Sequence, residues 1–154
     1  MNAITHNIPQ ALGARQQALV ARKGVLWMIA REGGKLSHLD MTDELKRFST
    51  YVGPDRKASS QPKLVYVVFQ RMVYRPLGLN KEEVRARMEG RDDFDMVTLN
   101  AVSTMEAAVA RIVRSGMANG KTRDQIKAAV RLACDEFATQ VRRIENDDFY
   151  EVVQ

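Results

Sequence analysis

The segment PKLVYVVFQRMVYRP, residues 62–76, decides whether the chain is entirely helical. Its Val, Tyr and Phe side chains favour a β-strand. Its apolar residues nevertheless recur at every fourth position, which is the spacing of a helix. The two series are Leu64, Val68 and Met72, and Val65, Phe69 and Val73. Pro62 suits the first turn of a helix, and a lone strand would lack a partner elsewhere, so the pattern predicts a buried helix over 64–74, with a strand as the alternative.

Glycine and proline divide the segment before this one into two helices and a loop. The first helix is predicted to end at the pair Gly33-Gly34. A short second helix is expected to begin with Asp40 as its N-cap and to stop near Gly53. The stretch GPDRKASSQP (53–62) is rich in Gly, Pro and Ser, and residues 54–62 are therefore predicted to form a flexible loop.

All elements are expected to belong to one domain of residues 1–154, because a chain of this length is typical of a single hydrophobic core. Residues 1–9 are predicted to be a frayed tail, and residues 146–154 an acidic tail. Residues 80–90 are expected to form a short polar helix capped by Asn80. Altogether the patterns predict an all-α fold of five to six helices.

Two long amphipathic segments predict an antiparallel αα-hairpin in the second half of this domain. The apolar faces are Phe94, Ala101, Met105, Ala108, Val109 and Ile112 in the first segment, and Ile126, Val130, Ala133, Phe137, Val141 and Ile144 in the second. The short connection GMANGK (116–121) lets the two faces meet. Cys134 falls at the rim of the second face, where we expect a packing role rather than a nucleophile.

The same connection approximates a phosphate-binding loop, because Gly116, Gly120, Lys121 and Thr122 follow in that order. Such a loop needs four residues between its glycines and a strand before them. Here three residues intervene and the preceding stretch has helical spacing. A left-handed glycine that ends one helix, and a capping box from Thr122 to Gln125 that opens the next, explain the motif. We therefore predict a helix–turn–helix connector, with no nucleotide role for Lys121.

No group of residues forms a recognisable catalytic or metal site. One cysteine and two histidines, His6 and His38, are too few for a zinc site of the Cys/His kind, and both histidines are expected at the surface. The aspartates Asp92, Asp93 and Asp95 are not followed by the other ligands of a calcium loop, and they precede an apolar helical run that they are expected to cap. The chain is therefore predicted not to be an enzyme and to bind no cofactor and no metal.

Positive charge is concentrated in the first half of the chain. Residues 1–75 hold 12 Lys/Arg against 5 Asp/Glu, whereas residues 76–154 hold 12 against 14, within a total net charge of +5. Such asymmetry indicates a polyanionic partner. The N-terminus lacks a signal-peptide pattern, and the longest apolar runs, at 25–30 and 64–69, are far too short to cross a bilayer. A cytoplasmic protein without a membrane partner is expected.

The candidate binding residues are cations, because Lys and Arg neutralise phosphates and release counterions at any spacing. They are Arg15, Arg22, Lys23, Arg56, Lys57, Lys63, Arg71, Arg75, Lys127 and Arg131. The densest group, Arg56, Lys57 and Lys63, lies in or beside the predicted loop. Arg22 and Lys23 would extend this group if the first helix turned that side outward.

Three tyrosines are candidates for stacking on nucleic-acid bases. They are Tyr51, Tyr66 and Tyr74. The helical periodicity of 64–74 makes Tyr66 and Tyr74 equally suited to the core.

The segment VLWMIAREGGKLSHLDMTDELKRF (25–48) looks like the opening of a winged helix–turn–helix domain. It offers an apolar helix, a turn with glycine and a short second helix, and the resemblance would imply sequence-specific DNA binding. A recognition helix with polar residues should follow closely. Here a loop of about nine residues intervenes and the next helix is mostly apolar, so the family is not assigned.

Taken together, these patterns predict an all-α, non-enzymatic, nucleic-acid-binding subunit or regulator of a nucleoprotein assembly. Binding would act mainly on the phosphates, and the sequence leaves DNA and RNA equally open. Other protein subunits are expected as partners, and a homo-oligomer is left open. The alternative is a protein-binding module, such as an inhibitor, adaptor or assembly factor, that acts through its helical faces.

Overall fold

Over residues 13–80 and 94–145, which a computed structural model describes, the chain forms five α-helices and no strand. The helices are α1 (Ala14–Lys23), α2 (Val25–Thr50), α3 (Val65–Tyr74), α4 (Met96–Ala118) and α5 (Arg123–Glu145), with short 3₁₀ turns at Pro62–Leu64 and Arg75–Leu77 on either side of α3. The predicted all-α class is confirmed. Several predictions concern residues outside the described ranges. They are the two tails, most of the polar helix over 80–90, and the residues His6, Asp92 and Asp93.

The decisive segment 62–76 is helical, as its spacing predicts. Pro62 occupies the first position of the 3₁₀ turn that leads into α3. Phe69 and Val73 are fully buried, whereas Leu64 and Val68 of the other series remain exposed. The four-residue spacing therefore identifies the helix, while only one of its two apolar series lies fully on the buried side.

The prediction that Gly33-Gly34 ends a helix is wrong, because α2 continues through both glycines. The break lies instead at Gly24, whose positive φ of 94° separates α1 from α2. Gly34 is buried, and a Cβ atom there would lie 3.9 Å from the Ser103 Cβ of α4. Each mid-helix glycine costs about 1 kcal/mol relative to alanine, and the packing of α2 on α4 outweighs this cost. The absence of a turn also removes the resemblance to a winged helix–turn–helix domain.

Helices α2 and α4 pack side by side and run in the same direction. Their contacts advance together, from Ser37 with Ser103 to His38 with Glu106 and then to Arg114, which reaches the later part of α2. The core between α2, α3, α4 and α5 contains Met41, Leu45, Phe48, Phe69, Val73, Met105, Val109 and Val130. At the start of α2, the buried Trp27 Nε1 donates a hydrogen bond to Phe94 O at 2.7 Å.

Helix α4 is the central element of this core. By length and composition it is the one helix in the described ranges that is apolar enough to cross a membrane, a criterion that core helices also meet. Its buried residues face α2, α3 and α5, and they include the carboxylate of Glu106. Packing within this chain thus accounts for the apolar composition of α4.

Helices α4 and α5 form an antiparallel pair. Gly116 near the end of α4 lies against Ile126 near the start of α5, whereas Val97 and Ile144 line one groove at the other end. Gly120 has the left-handed φ of 65° that ends α4.

The predicted capping box opens α5. Thr122 N–H donates to Gln125 Oε1 at 2.9 Å, and Gln125 N–H donates to Thr122 Oγ1 at 3.1 Å. Residues 115–125 thus form the predicted helix–turn–helix connector.

The predicted apolar face of α5 is rotated relative to the buried one. The fully buried side chains on this face are Ile126, Val130, Cys134 and Ala138. Phe137 and Val141 are only partly buried and Ile144 is exposed. Cys134 is therefore at the centre of the face rather than at its rim, because α5 packs on α3 and its following 3₁₀ turn as well as on α4.

Replacing Gly116 by alanine is expected to destabilise the protein by about 1–3 kcal/mol. A Cβ atom there would lie 2.5 Å from Ile126 Cγ1, so the Ile126 side chain or the helix that carries it would have to shift. Gly33→Ala is the matched control, since Gly33 is exposed with nothing within 4 Å of its Cβ position, and it should stabilise the helix by up to about 1 kcal/mol. Urea unfolding of both variants measures the difference, and equal effects would contradict this packing.

Candidate nucleic-acid interface

The segment that follows α2 is attached to the connection between α4 and α5. The Tyr51 hydroxyl donates a hydrogen bond to Lys121 O at 2.6 Å. Gly53, with a φ of 80°, approaches the same carbonyl so closely that a Cβ atom would lie 3.3 Å from it. The beginning of the predicted loop is thus fixed against the start of α5.

A buried arginine strengthens this attachment. Arg123, the first residue of α5, is 3% exposed and donates from Nη1 to Phe48 O and, at 2.7 Å, to Tyr51 O. Its guanidinium carbon lies 4.0 Å from the centre of the Phe48 ring. Burial lowers the pKa of Arg123, while the charge of Asp124 opposes this shift. Arg123 therefore satisfies carbonyls at the end of α2 and joins α2 to α5.

Cations from the loop and from α5 meet at this end of the molecule. Lys57 Nζ lies 4.0 Å from Asp124 Oδ2, and both side chains are at least 70% exposed. Lys127 follows Asp124 by three residues and Arg131 follows Lys127 by four, so the three share one side of α5. We call the exposed or partly exposed group of Arg56, Lys57, Lys121, Lys127 and Arg131 the basic surface. Lys121 belongs to it through the Tyr51 contact, which its place in the sequence did not indicate.

Three further predicted residues lie on or beside α3. Lys63 is exposed in the 3₁₀ turn before α3, Arg71 is partly buried on α3, and Arg75 is exposed directly after it. Arg142 of α5 donates to Pro76 O, which places Arg75 beside the later part of α5. These cations therefore continue along α3 from the loop that carries the basic surface.

The cations of α1 do not join the basic surface. Lys23 lies over the Trp27 ring, 5.5 Å from its centre, near the start of α2. Since α2 has 26 residues, it separates Arg22 and Lys23 from the loop by about 39 Å. The expectation that α1 extends the loop cluster is wrong for this reason, and Arg15 lies on the same short helix.

The three tyrosines that were candidates for base stacking all make contacts within the chain. Tyr74 is 4% exposed, and the hydroxyl of the partly buried Tyr66 donates to Thr42 O at 2.9 Å. Tyr51 stacks on Phe48 with ring centres 6.3 Å apart. Tyr74 is therefore too buried to stack on a base, while Tyr51 and Tyr66 are partly buried and each hold a contact within the chain.

A row of polar contacts between α2 and α4 is a feature that the sequence analysis did not predict. His38 Nδ1 lies 2.5 Å from Oε2 of Glu106, whose side chain is fully buried. The prediction that His38 is a plain surface residue is therefore incomplete, although its side chain is 47% exposed. Ser37 and Ser103 share a hydrogen bond of 3.0 Å beside this pair. The signal in the sequence was a glutamate on the apolar side of α4, next to Met105.

Arg114 extends this row of polar contacts toward the end of α2. Its Nε donates to Glu44 Oε1 and its Nη2 to Asp40 Oδ1, each at 2.8 Å. The hydrogen bond and charge of Glu44, followed by the charge of Asp40, raise the pKa of Arg114. Asp40, predicted as an N-cap, therefore acts as an ion-pair partner within a continuous helix.

The N-cap of α4 is Asp95, whose Oδ1 accepts a hydrogen bond from Thr98 N at 2.8 Å, as the sequence predicts. Among the described residues, no three His, Cys, Asp or Glu side chains are grouped so that they could hold a metal ion. The chain matches no protein-family model, no curated protein and no solved structure.

Cys134 is expected to be unreactive in the folded protein. It is 1% exposed, and burial, followed by the charge of Asp135, raises the pKa of its thiol to about 12. At pH 8, a thiol reagent should therefore react with Cys134 at least about 100-fold more slowly in the folded protein than in the unfolded protein.

The same shift makes stability depend on pH in the alkaline range. The thiol of Cys134 ionises more readily in the unfolded chain than in the folded protein. Its contribution to the free energy of unfolding is therefore complete below the pKa of the thiol in the unfolded chain, and it is lost as the pH rises from there toward 12. Equal labelling rates in the folded and unfolded protein would contradict this burial.

Proposed function

We propose that the chain is a non-enzymatic cytoplasmic protein that binds nucleic acid through its phosphates, as a small subunit or regulator of a nucleoprotein assembly. The observation that supports this most is the meeting of the loop cations with those of α5 at one end of the molecule. Lys57 lies beside Asp124, on the side of α5 that carries Lys127 and Arg131. High cation density on an exposed surface is what phosphate neutralisation requires.

The surroundings of the basic surface favour binding without sequence preference. Base recognition needs side chains that enter a groove or rings that stack on bases. The nearest ring, Tyr51, is engaged with Phe48 and Lys121. Phosphate contacts, which carry no sequence information, remain as the mode that these residues support.

The test is a salt titration of binding to short DNA and RNA of unrelated sequences, followed by fluorescence anisotropy. The expected affinity is similar for all sequences and falls steeply with salt, with a slope of about −0.9 for each phosphate neutralised on duplex DNA. Absence of binding at low salt would overturn the proposal. It would favour the alternative of a protein-binding module, whose apolar interface would depend little on salt.

A further inference from the structure

A row of exposed apolar side chains runs along α2 on the side away from the core. Leu36 is 71% exposed, Leu39 56% and Ile29 41%. With the partly buried Val25 and the charged Glu32 and Asp43, they recur at alternating spacings of four and three residues. We call the six residues Val25, Ile29, Glu32, Leu36, Leu39 and Asp43 the α2 seam. This is the spacing of the contact positions in a two-helix coiled coil.

Nothing within the described residues explains this pattern. Leu36 and Leu39 remain more than half exposed after α1, α3, α4 and α5 have packed. Gly33, beside the seam, is exposed and has no neighbour within 4 Å of its Cβ position. It also carries the cost of a mid-helix glycine, and unlike Gly34 it supports no packing against the part of the chain that the structure describes.

From these observations we propose that the α2 seam is the interface of a homodimer in which two α2 helices pack antiparallel about a twofold axis. The charges along the α2 seam indicate that the partner is a second copy of this chain and that its α2 helix runs in the opposite direction. A parallel pair would place Glu32 against Glu32 of the second copy, and like charges in a seam oppose association.

An antiparallel pair centred near residue 34 reduces this repulsion, because it offsets the two Glu32 side chains by about 6 Å along the axis. It places Ile29 opposite Leu39 of the second copy, and Glu32 opposite Leu36, beside Lys35. Within one chain Lys35 Nζ already lies 2.8 Å from Glu32 Oε1, with both side chains 46% exposed. In the dimer each Lys35 would lie between two carboxylates, so the surface is complementary to itself.

The first experiment measures the mass of the full chain by sedimentation from about 1 to 300 µM protein, without nucleic acid. The expected result is a concentration-dependent dimer. Leu36→Glu should weaken it about 30-fold or more, because the new carboxylate would replace an apolar contact and lie opposite Glu32 of the second copy. Leu132→Glu is the matched control, since Leu132 is a 61% exposed leucine on α5, and it should leave the dimer unchanged. Circular dichroism verifies that both variants keep their helix content.

The second experiment tests direction by disulfide formation. Ile29→Cys mixed with Leu39→Cys should cross-link, because an antiparallel pair places these positions opposite one another. Leu39→Cys alone should not cross-link, since its two copies would be about 15 Å apart along the axis. A monomer at every concentration, equal effects of Leu36→Glu and Leu132→Glu, or cross-linking of Leu39→Cys with itself would overturn the proposal. A monomer that Leu36→Glu destabilises would show that another part of the same chain covers the seam.

Discussion

Arg123→Met is expected to lower the free energy of unfolding by about 3 kcal/mol. Methionine keeps much of the side-chain volume but donates no hydrogen bond. Two carbonyls at the end of α2, Phe48 O and Tyr51 O, would no longer accept hydrogen bonds from the buried guanidinium. The stacking of Arg123 on the Phe48 ring would disappear as well.

Two variants control this experiment. Arg131→Met removes a cation from the exposed side of the same helix and should change stability by less than about 0.5 kcal/mol. Arg123→Lys keeps the charge but not the planar fork, so its effect should be intermediate. Urea unfolding measures all three. If Arg123→Met resembled Arg131→Met, the buried arginine would not join α2 to α5 in the way described.

The second large effect concerns affinity for nucleic acid. Replacing Arg56, Lys57 and Lys63 together by glutamine should weaken binding to every sequence alike. The slope of log affinity against log salt should fall by up to about three units, close to one for each phosphate that the variant no longer neutralises. Helix content should not change, because all three side chains are exposed.

A matched variant separates the local surface from net charge. Replacing Arg15, Arg22 and Lys23 by glutamine removes the same number of charges, but from α1 at the other end of α2. This variant should keep nearly the wild-type salt slope, apart from a small uniform decrease in long-range attraction. Identical slopes for the two triple variants would show that binding follows total charge and not the position of Arg56, Lys57 and Lys63.

Local periodicity and capping signals predicted α3, α4 and α5 well, but not the boundary between α1 and α2. The four-residue spacing in 62–76 identified α3 against the strand preference of its residues. The capping box from Thr122 to Gln125 located the start of α5 to within a residue. Both signals depend on neighbours along the chain, so they can be recognised without knowledge of the tertiary structure.

Tertiary contacts explain what the sequence did not show. Gly34 is tolerated within α2 because it lies against Ser103, which is 69 positions away in the chain. Cys134 is central on α5 because α3 packs on that helix as well as α4. In both cases the partner element, and not the local pattern, determines which side of the helix is buried.

The candidate site was only partly predictable for the same reason. The loop cations and those of α5 can be identified from the sequence, but their meeting depends on Tyr51, Lys121 and Arg123. The local pattern around Lys121 suggests only a nucleotide loop or a helix connector. Arg123 resembles an ordinary surface cation at the start of a helix, and only the closeness of α2 makes it a buried donor.

The most direct measurement of the proposed function is lysine footprinting by mass spectrometry, with and without a short oligonucleotide. Phosphates bound at the basic surface should protect Lys57, Lys121 and Lys127 from acetylation. Lys46 on α2 is an exposed control and should be modified equally in both samples. Protection confined to Lys46, or protection of none of the three at low salt, would contradict nucleic-acid binding at this surface.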